Sequence, residues 1–584
     1  MIESPRSLLT IWSRLVASSL VSAGVREVVV SPGSRSTPFV LALRARPELE
    51  LVSVIDERSA AFVALGMARA SRRPTAVLAT SGTAPAHWLP AVIEASLAQV
   101  PLLLLSADRP LALTHAGAAQ TIDQTKLFGS WVRHFEDLGD PRADQGALVG
   151  VSRSIAQAVA ATGGSAPGPV HVNLRADKPL EPVEPSADER ALADAAETLV
   201  ARGTTRIGHA TVGADVETAR ALAAALAEAK RPLVIAGPRR EESDRFVLLE
   251  ACARARAPVA AEATSQLRFG PRTGAFLDAY ETILASAPFL REAMPDLIVQ
   301  IGGLPTAPTL ERALTGARRF VLDAGGAYDP IGNAEAISCA PAGPTMELAV
   351  SRLASFARDE AWLAKLARAE ELAWREVERI VARDEGEGAC VRAALEGSEG
   401  ALLVVGNSLP IRTIDRFVRG GGAARTVLSQ RGANGIDGLV SGALGAAITS
   451  ERPVVAIVGD VSFVHDLNAL VSARAVRQPL VVVVIDNGGG RIFETLPIAG
   501  TPSGREAMPL FTTPHEIDLA SIVRAMGVAC TETRRASETR AAVAGAIAGR
   551  GVHVVRAIVD PDDATRSFRA LSSAIADSLA EIGA

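Results

Sequence analysis

The chain has 584 residues, of which 48% are hydrophobic, and a formal net charge of −5 at pH 7. This length predicts three to four domains at about 150 residues each, with enough apolar side chains for their cores. Acidic and basic residues are mixed along the chain, which argues against the basic stripe typical of nucleic-acid binding, and no apolar run reaches the ~20 residues that span a bilayer.

The N-terminus and the cysteines predict a cytoplasmic protein. Residues 1–16 include acidic and polar positions where a secretory signal would have a basic region followed by an apolar block. The four cysteines lie far apart and show no metal or redox spacing, which fits a reducing cytosol: Cys252, Cys339, Cys390 and Cys530. We therefore expect neither a membrane nor a nucleic-acid partner.

Residues 1–182 predict a first α/β domain. Short apolar strands alternate with helices rich in small residues, the pattern of a doubly wound parallel sheet. A short strand also runs into the pair Asp56-Glu57 and then into a helix. The strands with the clearest pattern are 25–30, 75–80, 101–106 and 169–174. A linker at 176–189, rich in proline and charge, follows this domain.

Residues 183–385 predict a second α/β domain. Strand-to-turn signals occur at 231–238, 295–303 and 318–326, and a long charged helical region at 346–385 leads into the third domain. The glycine turns of these strands suggest dinucleotide binding, but none is a full G-x-G-x-x-G, so we disfavour that interpretation.

Residues 386–584 predict a third domain that carries a metal site. Asp460 and Asn487 each follow a run of β-branched apolar residues that is typical of a buried parallel strand. The carboxyl ends of such strands are where open α/β sheets bind ligands. An Asp carboxylate, an Asn amide oxygen and the backbone carbonyl of Gly489 are hard oxygen ligands suited to Mg²⁺. We interpret the segment as a diphosphate and Mg²⁺ (or Mn²⁺) anchor.

This arrangement resembles the cofactor signature of the thiamine diphosphate enzyme superfamily. The resemblance implies an α/β protein with three doubly wound parallel-sheet domains, at 1–182, 183–385 and 386–584. It also implies that Glu57, at a strand-to-helix junction, hydrogen-bonds N1′ of the cofactor's aminopyrimidine ring. Without the resemblance, Glu57 would be interpreted as an acidic residue in a first helical turn, where the helix dipole favours it.

Further motifs are similar to one family, the 2-succinyl-5-enolpyruvyl-6-hydroxy-3-cyclohexene-1-carboxylate synthases. The similarity covers both ends of the chain and is weak in the middle. It implies joining a succinyl unit from 2-oxoglutarate to isochorismate, in menaquinone biosynthesis. The motifs are VVVSPGSRSTPF at 28–39, TSGTA at 80–84, SADRP at 106–110, HAGAAQTIDQ at 115–124, GPVHVNL at 168–174, NSLPIR at 407–412, SQRGANGIDG at 429–438 and RIFETLP at 491–497.

These motifs assign residues to the substrates and the cofactor. Arginine suits planar, bidentate carboxylate recognition, and both substrates carry carboxylates. The resemblance implies that Arg35, Arg109, Arg412 and Arg431 bind them, with Ser34, Ser408 and Gln120 as neutral partners. It places Ile436 beneath the cofactor rings and Phe493 and Leu496 in the apolar walls, although core packing is equally compatible with these three. The remaining cofactor-binding candidates are Asn407, Ser408, Gly459, Ser462 and Ile492.

Two positions depart from the family pattern. Ala119 occupies a position that is often Asn, and Pro308 one that tends to be basic. Both changes bear on the isochorismate side of the pocket.

Two alternatives remain open from the sequence. One is another thiamine diphosphate-dependent 2-oxoacid decarboxylase or carboligase, of the acetolactate-synthase type. The substrate of such an enzyme would need fewer arginine contacts than the four that the motifs contain. The other is a non-catalytic subunit with the thiamine fold, which would not need Glu57, Asp460 and Asn487. The superfamily also implies a homodimer or homotetramer in which two subunits share each active site.

Overall fold

The structure is a computed structural model that describes residues 5–240, 242–322, 325–326 and 328–583. The strands are β1 Glu27–Val30, β2 Glu50–Ser53, β3 Thr75–Ala79, β4 Leu102–Asp108, β5 His134–Asp137, β6 Pro169–Arg175, β7 Pro232–Ala236, β8 Val259–Ala261, β9 Leu297–Ile301, β10 Arg318–Leu322, β11 Ala334–Ser338, β12 Leu402–Val405, β13 Val427–Ser429, β14 Val454–Gly459, β15 Leu480–Asp486, β16 Ala529–Thr533 and β17 Val552–Ile558. The helices are α1 Leu8–Ser22, α2 Thr37–Arg44, α3 Glu57–Ser71, α4 Leu89–Leu97, α5 Gln145–Ala161, α6 Arg190–Arg202, α7 Val216–Glu228, α8 Arg245–Arg254, α9 Tyr280–Ala285, α10 Ala287–Ala293, α11 Glu311–Gly316, α12 Ala342–Val350, α13 Glu360–Val381, α14 Glu387–Glu396, α15 Leu409–Phe417, α16 Leu439–Thr449, α17 Asp460–His465, α18 Pro502–Thr512, α19 Leu519–Ala525, α20 Ala536–Ile547 and α21 Asp563–Gly583.

The chain forms two compact units. The first unit comprises Met1–Ala210, Gln430–Glu451 and His465–Gln478, and the second comprises Thr211–Ser429, Arg452–Val464 and Pro479–Ala584.

The first unit contains a parallel sheet of strand order β2-β1-β3-β4-β6-β5. The chain adds strands on one side of β1 and then on the other, so the sheet has a switch point between β1 and β3. Within this unit α3 packs closely against α16, where a Cβ on Gly66 would lie 2.0 Å from the carbonyl oxygen of Gly442. Only glycine allows this approach of the two backbones.

The second unit contains two further parallel sheets, of strand orders β11-β10-β9-β7-β8 and β13-β12-β14-β15-β17-β16. In the latter, β15 is a run of apolar, mostly β-branched residues that is buried along its whole length. This is the pattern expected of a strand covered by helices on both faces. The switch point of this six-stranded sheet lies between β12 and β14. When the strands of each sheet are numbered from one, this sheet has the same strand order as the sheet of the first unit.

The α/β fold with three doubly wound parallel sheets is confirmed. The structure contains all the strands predicted from the clearest patterns. The predicted helical region 346–385 is divided into two helices. The first, α12, ends at Val350. The second, α13, is capped by Asp359, whose side chain accepts a hydrogen bond from the Trp362 N–H at 3.0 Å. For the strand signal at 318–326, residues 323 and 324 lie outside the described residues. The domain boundaries at 182 and 385 stay a prediction.

Across the described ranges, no helix combines the length and the apolar character needed to cross a bilayer.

Candidate active site

Two predicted metal ligands lie at adjacent strand ends in the second unit. Asp460 begins α17 directly after β14, and Asn487 directly follows β15. The two strands are paired in parallel, with Gly459 opposite Ile485. Asp460 is 1% exposed and Asn487 is 5% exposed. The sheet therefore holds a carboxylate and an amide at one buried edge.

The Asp460 carboxylate is held by backbone donors. Its Oδ1 accepts from the Val461 N–H and its Oδ2 from the Gly489 N–H, both at 2.7 Å. Burial raises the pKa of Asp460 to about 6, and the nearby Asp486 carboxylate adds to this effect. A divalent cation would remove the penalty of burying this charge, because it would stabilise the ionised form.

Asn487 has an acceptor atom suited to a metal. Its Nδ2 donates to Glu387 Oε2 at 3.0 Å. Its Oδ1 is buried and has no hydrogen-bond partner among the residues that the structure describes. A buried polar atom of this kind is costly unless something else binds it. Together with Asp460, this oxygen fits a Mg²⁺ or Mn²⁺ ion.

Gly489 is fixed in a conformation that requires glycine. Its φ is +140°, and a Cβ there would lie 2.4 Å from the carbonyl oxygen of Thr512. The neighbouring Gly490 N–H donates to that same oxygen at 2.6 Å. The glycine run therefore lets the backbone lie against Asp460 on one side and the end of α18 on the other.

Sequence reasoning missed residues around this edge. Asp486 and His515 each place one potential ligand atom within 4.8 Å of the others and of Asp460. His515 Nε2 lies 3.2 Å from Asp460 Oδ2. Asp486 also accepts from Arg556 Nε at 2.6 Å, so its charge already has a partner. The position of Asp486 beside Asn487 was a usable signal, whereas His515 lies in no motif.

Three further predicted site residues, Asn407, Ser408 and Arg412, lie near the switch point of the sheet that contains β14 and β15. Asn407, which is 2% exposed, and Ser408 lie between β12 and α15. Ser408 has a φ of +72°, a strained conformation for a residue other than glycine. Arg412, on α15, donates through Nη1 to the Ser408 carbonyl at 2.7 Å. The structure thus brings Ser408 and Arg412 together at the start of α15.

The other predicted cofactor contacts and apolar wall residues of the second unit differ in how far they are buried. Gly459 ends β14, and Ser462, in α17, is 3% exposed. Ile492 and Phe493 lie half-buried in a 3₁₀ turn at 491–495, and the Phe493 ring lies 5.6 Å from that of Phe511. Leu496 is 45% exposed. These apolar side chains are therefore available to line a ligand site and are not fully used by a core.

In the first unit, four predicted substrate residues lie at the carboxyl edge of the sheet. Ser34 and Arg35 follow β1, Arg109 follows β4, and Gln120 donates through Nε2 to the Ser81 carbonyl, beyond β3, at 3.2 Å. Arg35 donates through Nη1 to the Ala176 carbonyl at 2.7 Å, and its buried Nε has no hydrogen-bond partner within the described ranges. Burial lowers the pKa of Arg35, and the positive charge of Arg109 lowers it further.

The Arg109 guanidinium donates to the Ala119 carbonyl through Nε at 2.9 Å and Nη2 at 2.6 Å. The Ala119 backbone therefore orients this arginine whatever side chain the position carries. Two cations near each other at a strand edge favour an anionic ligand.

Glu57, Arg431 and Ile436 are also in the first unit. Glu57 begins α3 and is half-buried, and Asp56 caps the helix by accepting from the Arg58 N–H at 2.8 Å. Arg431 and Ile436 lie in a half-buried loop. The loop is fixed by the Glu94 carboxylate, which accepts from the N–H groups of Gly432 at 3.1 Å and Ala433 at 2.6 Å.

The chain matches family models at both of its ends. Residues 12–127 match the family model "Thiamine pyrophosphate enzyme, N-terminal TPP binding domain", and residues 418–557 match "Thiamine pyrophosphate enzyme, C-terminal TPP binding domain". The crystal structure of benzoylformate decarboxylase from Polynucleobacter necessarius is similar with a TM-score of 0.66 at 18% identity, over 94% of this chain and 98% of that chain. That likeness shows the fold alone. The fold and the family models together define a thiamine diphosphate-dependent enzyme.

Full-length relatives narrow the class to one family. The chain is 40% identical to the 2-succinyl-5-enolpyruvyl-6-hydroxy-3-cyclohexene-1-carboxylate synthase of Sorangium cellulosum, over 99% of this chain and 97% of that protein. It is 38% identical to the synthase of the same name from Halobacterium salinarum (97% and 98%) and 37% identical to that from Myxococcus xanthus (99% and 99%). The chain belongs to this synthase family.

Proposed function

We propose that this chain catalyses the decarboxylation of 2-oxoglutarate and the addition of the resulting succinyl unit to isochorismate, giving 2-succinyl-5-enolpyruvyl-6-hydroxy-3-cyclohexene-1-carboxylate in menaquinone biosynthesis. The observation that carries the proposal is near full-length similarity to synthases of that name. When bound, thiamine diphosphate supplies the thiazolium that accepts the electrons released by decarboxylation.

The metal edge of the second unit holds the diphosphate end of the cofactor. Asp460 and Asn487 provide side-chain oxygens, and Gly489 a backbone carbonyl, for Mg²⁺ or Mn²⁺. Oδ1 of Asn487 has no hydrogen-bond partner among the described residues, and the Asp460 carboxylate is buried; both observations support this assignment. Asn407, Ser408, Gly459 and Ser462 lie at or just after the same strand ends, and Ile436, Ile492 and Phe493 are the side chains that would contact the rings.

The arginines bind and orient the two anionic substrates. Arg35, Arg109, Arg412 and Arg431 pair with their carboxylates, and Ser34, Ser408 and Gln120 add neutral hydrogen bonds. The positive charge of Arg109, which adds to burial in lowering the pKa of Arg35, supports this role, because a bound anion would stabilise the Arg35 charge. Pro308 begins a 3₁₀ turn at Pro308–Leu310 and cannot supply the basic group that the family tends to have there.

Glu57 holds a proton at N1′ of the aminopyrimidine ring. Its place at the start of α3, directly after a capping aspartate, fixes the backbone from which the carboxylate projects. A carboxyl group that shares a proton with a ring nitrogen acts as a positioned acid and base.

The proposed assembly is a cytoplasmic homodimer or homotetramer in which Glu57 of one subunit and Asp460 of its neighbour complete each active site. Mixing Glu57→Gln and Asp460→Ala chains under subunit exchange should then restore activity, since a mixed dimer has one site with both residues intact. Native mass spectrometry would verify the heterodimers, with exchanged wild-type chains as the control. Inactive heterodimers would contradict the shared site.

The proposed reaction is tested by following both substrates at once. With thiamine diphosphate and Mg²⁺, CO₂ release and isochorismate loss should be equal and should require both substrates. CO₂ release from 2-oxoglutarate without isochorismate loss would indicate a simple decarboxylase in place of the carboligase.

A further inference from the structure

A buried carboxylate outside all the sequence motifs lies beside Asn487. Glu387 is the first residue of α14 and is 1% exposed. Its backbone N–H donates to Asp563 Oδ2 at 2.8 Å, which fixes the start of the helix. The carboxylate therefore lies in the interior of the second unit, where a polar group is stable only when it is hydrogen-bonded.

The first contact of this carboxylate fixes the orientation of Asn487. Oε2 of Glu387 accepts a hydrogen bond from Asn487 Nδ2 at 3.0 Å. This contact presents the amide NH₂ of Asn487 to the carboxylate and turns Oδ1 away from it. That Oδ1 is buried and without a hydrogen-bond partner in the part of the chain that the structure describes.

The second contact reaches the helix that carries a predicted substrate arginine. Oε1 of Glu387 accepts from Thr413 Oγ1 at 3.0 Å, and Thr413 is fully buried. Thr413 is adjacent to Arg412 on α15, and Arg412 donates to the Ser408 carbonyl. One carboxylate therefore joins the end of β15 to the first turns of α15.

We propose that Glu387 is a positioning residue of the metal centre, which holds the Asn487 amide with Oδ1 toward the metal ion and keeps α15 aligned with that ligand. The inference rests on the proposed function, because it takes Asn487 as a metal ligand. Groups that orient metal ligands in this way are worth about 10- to 100-fold in metal affinity.

The test is a calorimetric Mg²⁺ titration of the whole chain at saturating thiamine diphosphate. A second titration uses Mn²⁺, whose binding is detected by electron paramagnetic resonance. Glu387→Met fills similar space without an acceptor and should weaken metal binding about 10- to 100-fold. Glu387→Gln keeps an acceptor oxygen for Asn487 and should retain most of the affinity. Should Glu387→Met not fold, Glu387→Ala carries the same expectation.

Glu370 provides a matched control. It is another buried glutamate of the second unit, and it accepts from the Asp278 N–H, the Ala279 N–H and Trp374 Nε1. Glu370→Met should lower stability without changing Mg²⁺ affinity. Equal losses in Glu370→Met and Glu387→Met would overturn the proposal, because they would indicate a general structural effect.

Further outcomes test the orienting role of Glu387. In the Glu387→Met background, Asn487→Asp should restore part of the affinity, because a carboxylate presents an oxygen in either orientation. Unchanged Mg²⁺ affinity in Glu387→Met, or a loss in Glu387→Gln as large as that in Glu387→Met, would overturn the orienting role. Failure of the wild type to bind Mg²⁺ with thiamine diphosphate would instead refute the proposed function.

Discussion

Oδ2 of Asp460 accepts a hydrogen bond from the backbone N–H of Gly489 at 2.7 Å, although the two residues are 29 positions apart in the chain. They meet because β14 and β15 are neighbouring parallel strands whose carboxyl ends share one edge of the sheet. The glycine contributes only backbone, so the contact depends on its left-handed conformation and not on a side chain. Asp460 and Gly489 are both proposed metal ligands, and this hydrogen bond holds them side by side.

Asp460→Ala should abolish Mg²⁺-dependent binding of thiamine diphosphate, because the diphosphate loses its ionic bridge to the protein. Calorimetric titration with cofactor and Mg²⁺ measures this directly. Asp518→Ala, which removes an exposed helix cap in the same unit, is the control and should bind as the wild type does. An unchanged affinity in Asp460→Ala would remove this residue from the metal centre.

Glu57→Gln should leave the fold and cofactor affinity intact and lower turnover by about 10²- to 10⁴-fold, the range for a positioned acid-base group. The amide has nearly the same shape but cannot share a proton with N1′. Steady-state kinetics at saturating cofactor gives the loss, with the exposed Glu48→Gln as control. Near-normal turnover in Glu57→Gln would exclude the assigned role.

The sequence was sufficient to predict the fold class, because the buried strands are short apolar runs that begin and end at clear signals. It also located Asp460 and Asn487, since both directly follow such runs. The boundary between α12 and α13 was missed because the charged periodicity continues through residues 351–359, and only the cap at Asp359 reveals the break.

Glu387 and His515 could not be predicted from local patterns. Each lies beside the metal edge through tertiary packing, from a helix start and a loop distant in sequence from β14 and β15. The ends of strands can be inferred from hydrophobic periodicity. The position of a side chain that comes from a distant segment depends on how the helices and strands pack, which local sequence patterns do not reveal. Asp486 is intermediate, because it adjoins Asn487 but also pairs with Arg556.

Arg35→Lys should lower kcat/KM by roughly 10- to 100-fold, because lysine cannot make the bidentate contact and charged hydrogen bonds contribute about 1.5–3 kcal/mol. The loss should appear mainly in KM for one of the two acids. Arg14→Lys, at an exposed pair with Glu184, is the matched control. Equal kinetics for Arg35→Lys and the wild type would contradict the substrate contact.

Glu370 should make the stability of the second unit depend on pH. Burial, and secondarily the Asp278 charge, raises its pKa from the ordinary 4.5 to about 7. The folded protein then binds more protons than the unfolded chain in this window, so stability falls as pH rises from 4.5 to about 7. The difference in melting temperature between Glu370→Gln and the wild type should therefore grow by several degrees in favour of Glu370→Gln as the pH rises from about 5 to about 8. A pH-independent difference between the two would contradict the raised pKa.

Decarboxylation of 2-oxoglutarate and carbon–carbon bond formation with isochorismate should occur on this one enzyme. The most direct measurement is mass spectrometry of the product formed from isochorismate and uniformly ¹³C-labelled 2-oxoglutarate, with thiamine diphosphate and Mg²⁺. We predict a single adduct that retains every labelled carbon except the one lost as CO₂, and none with Asp460→Ala. Labelled succinic semialdehyde with unreacted isochorismate would contradict the proposed carbon–carbon bond formation.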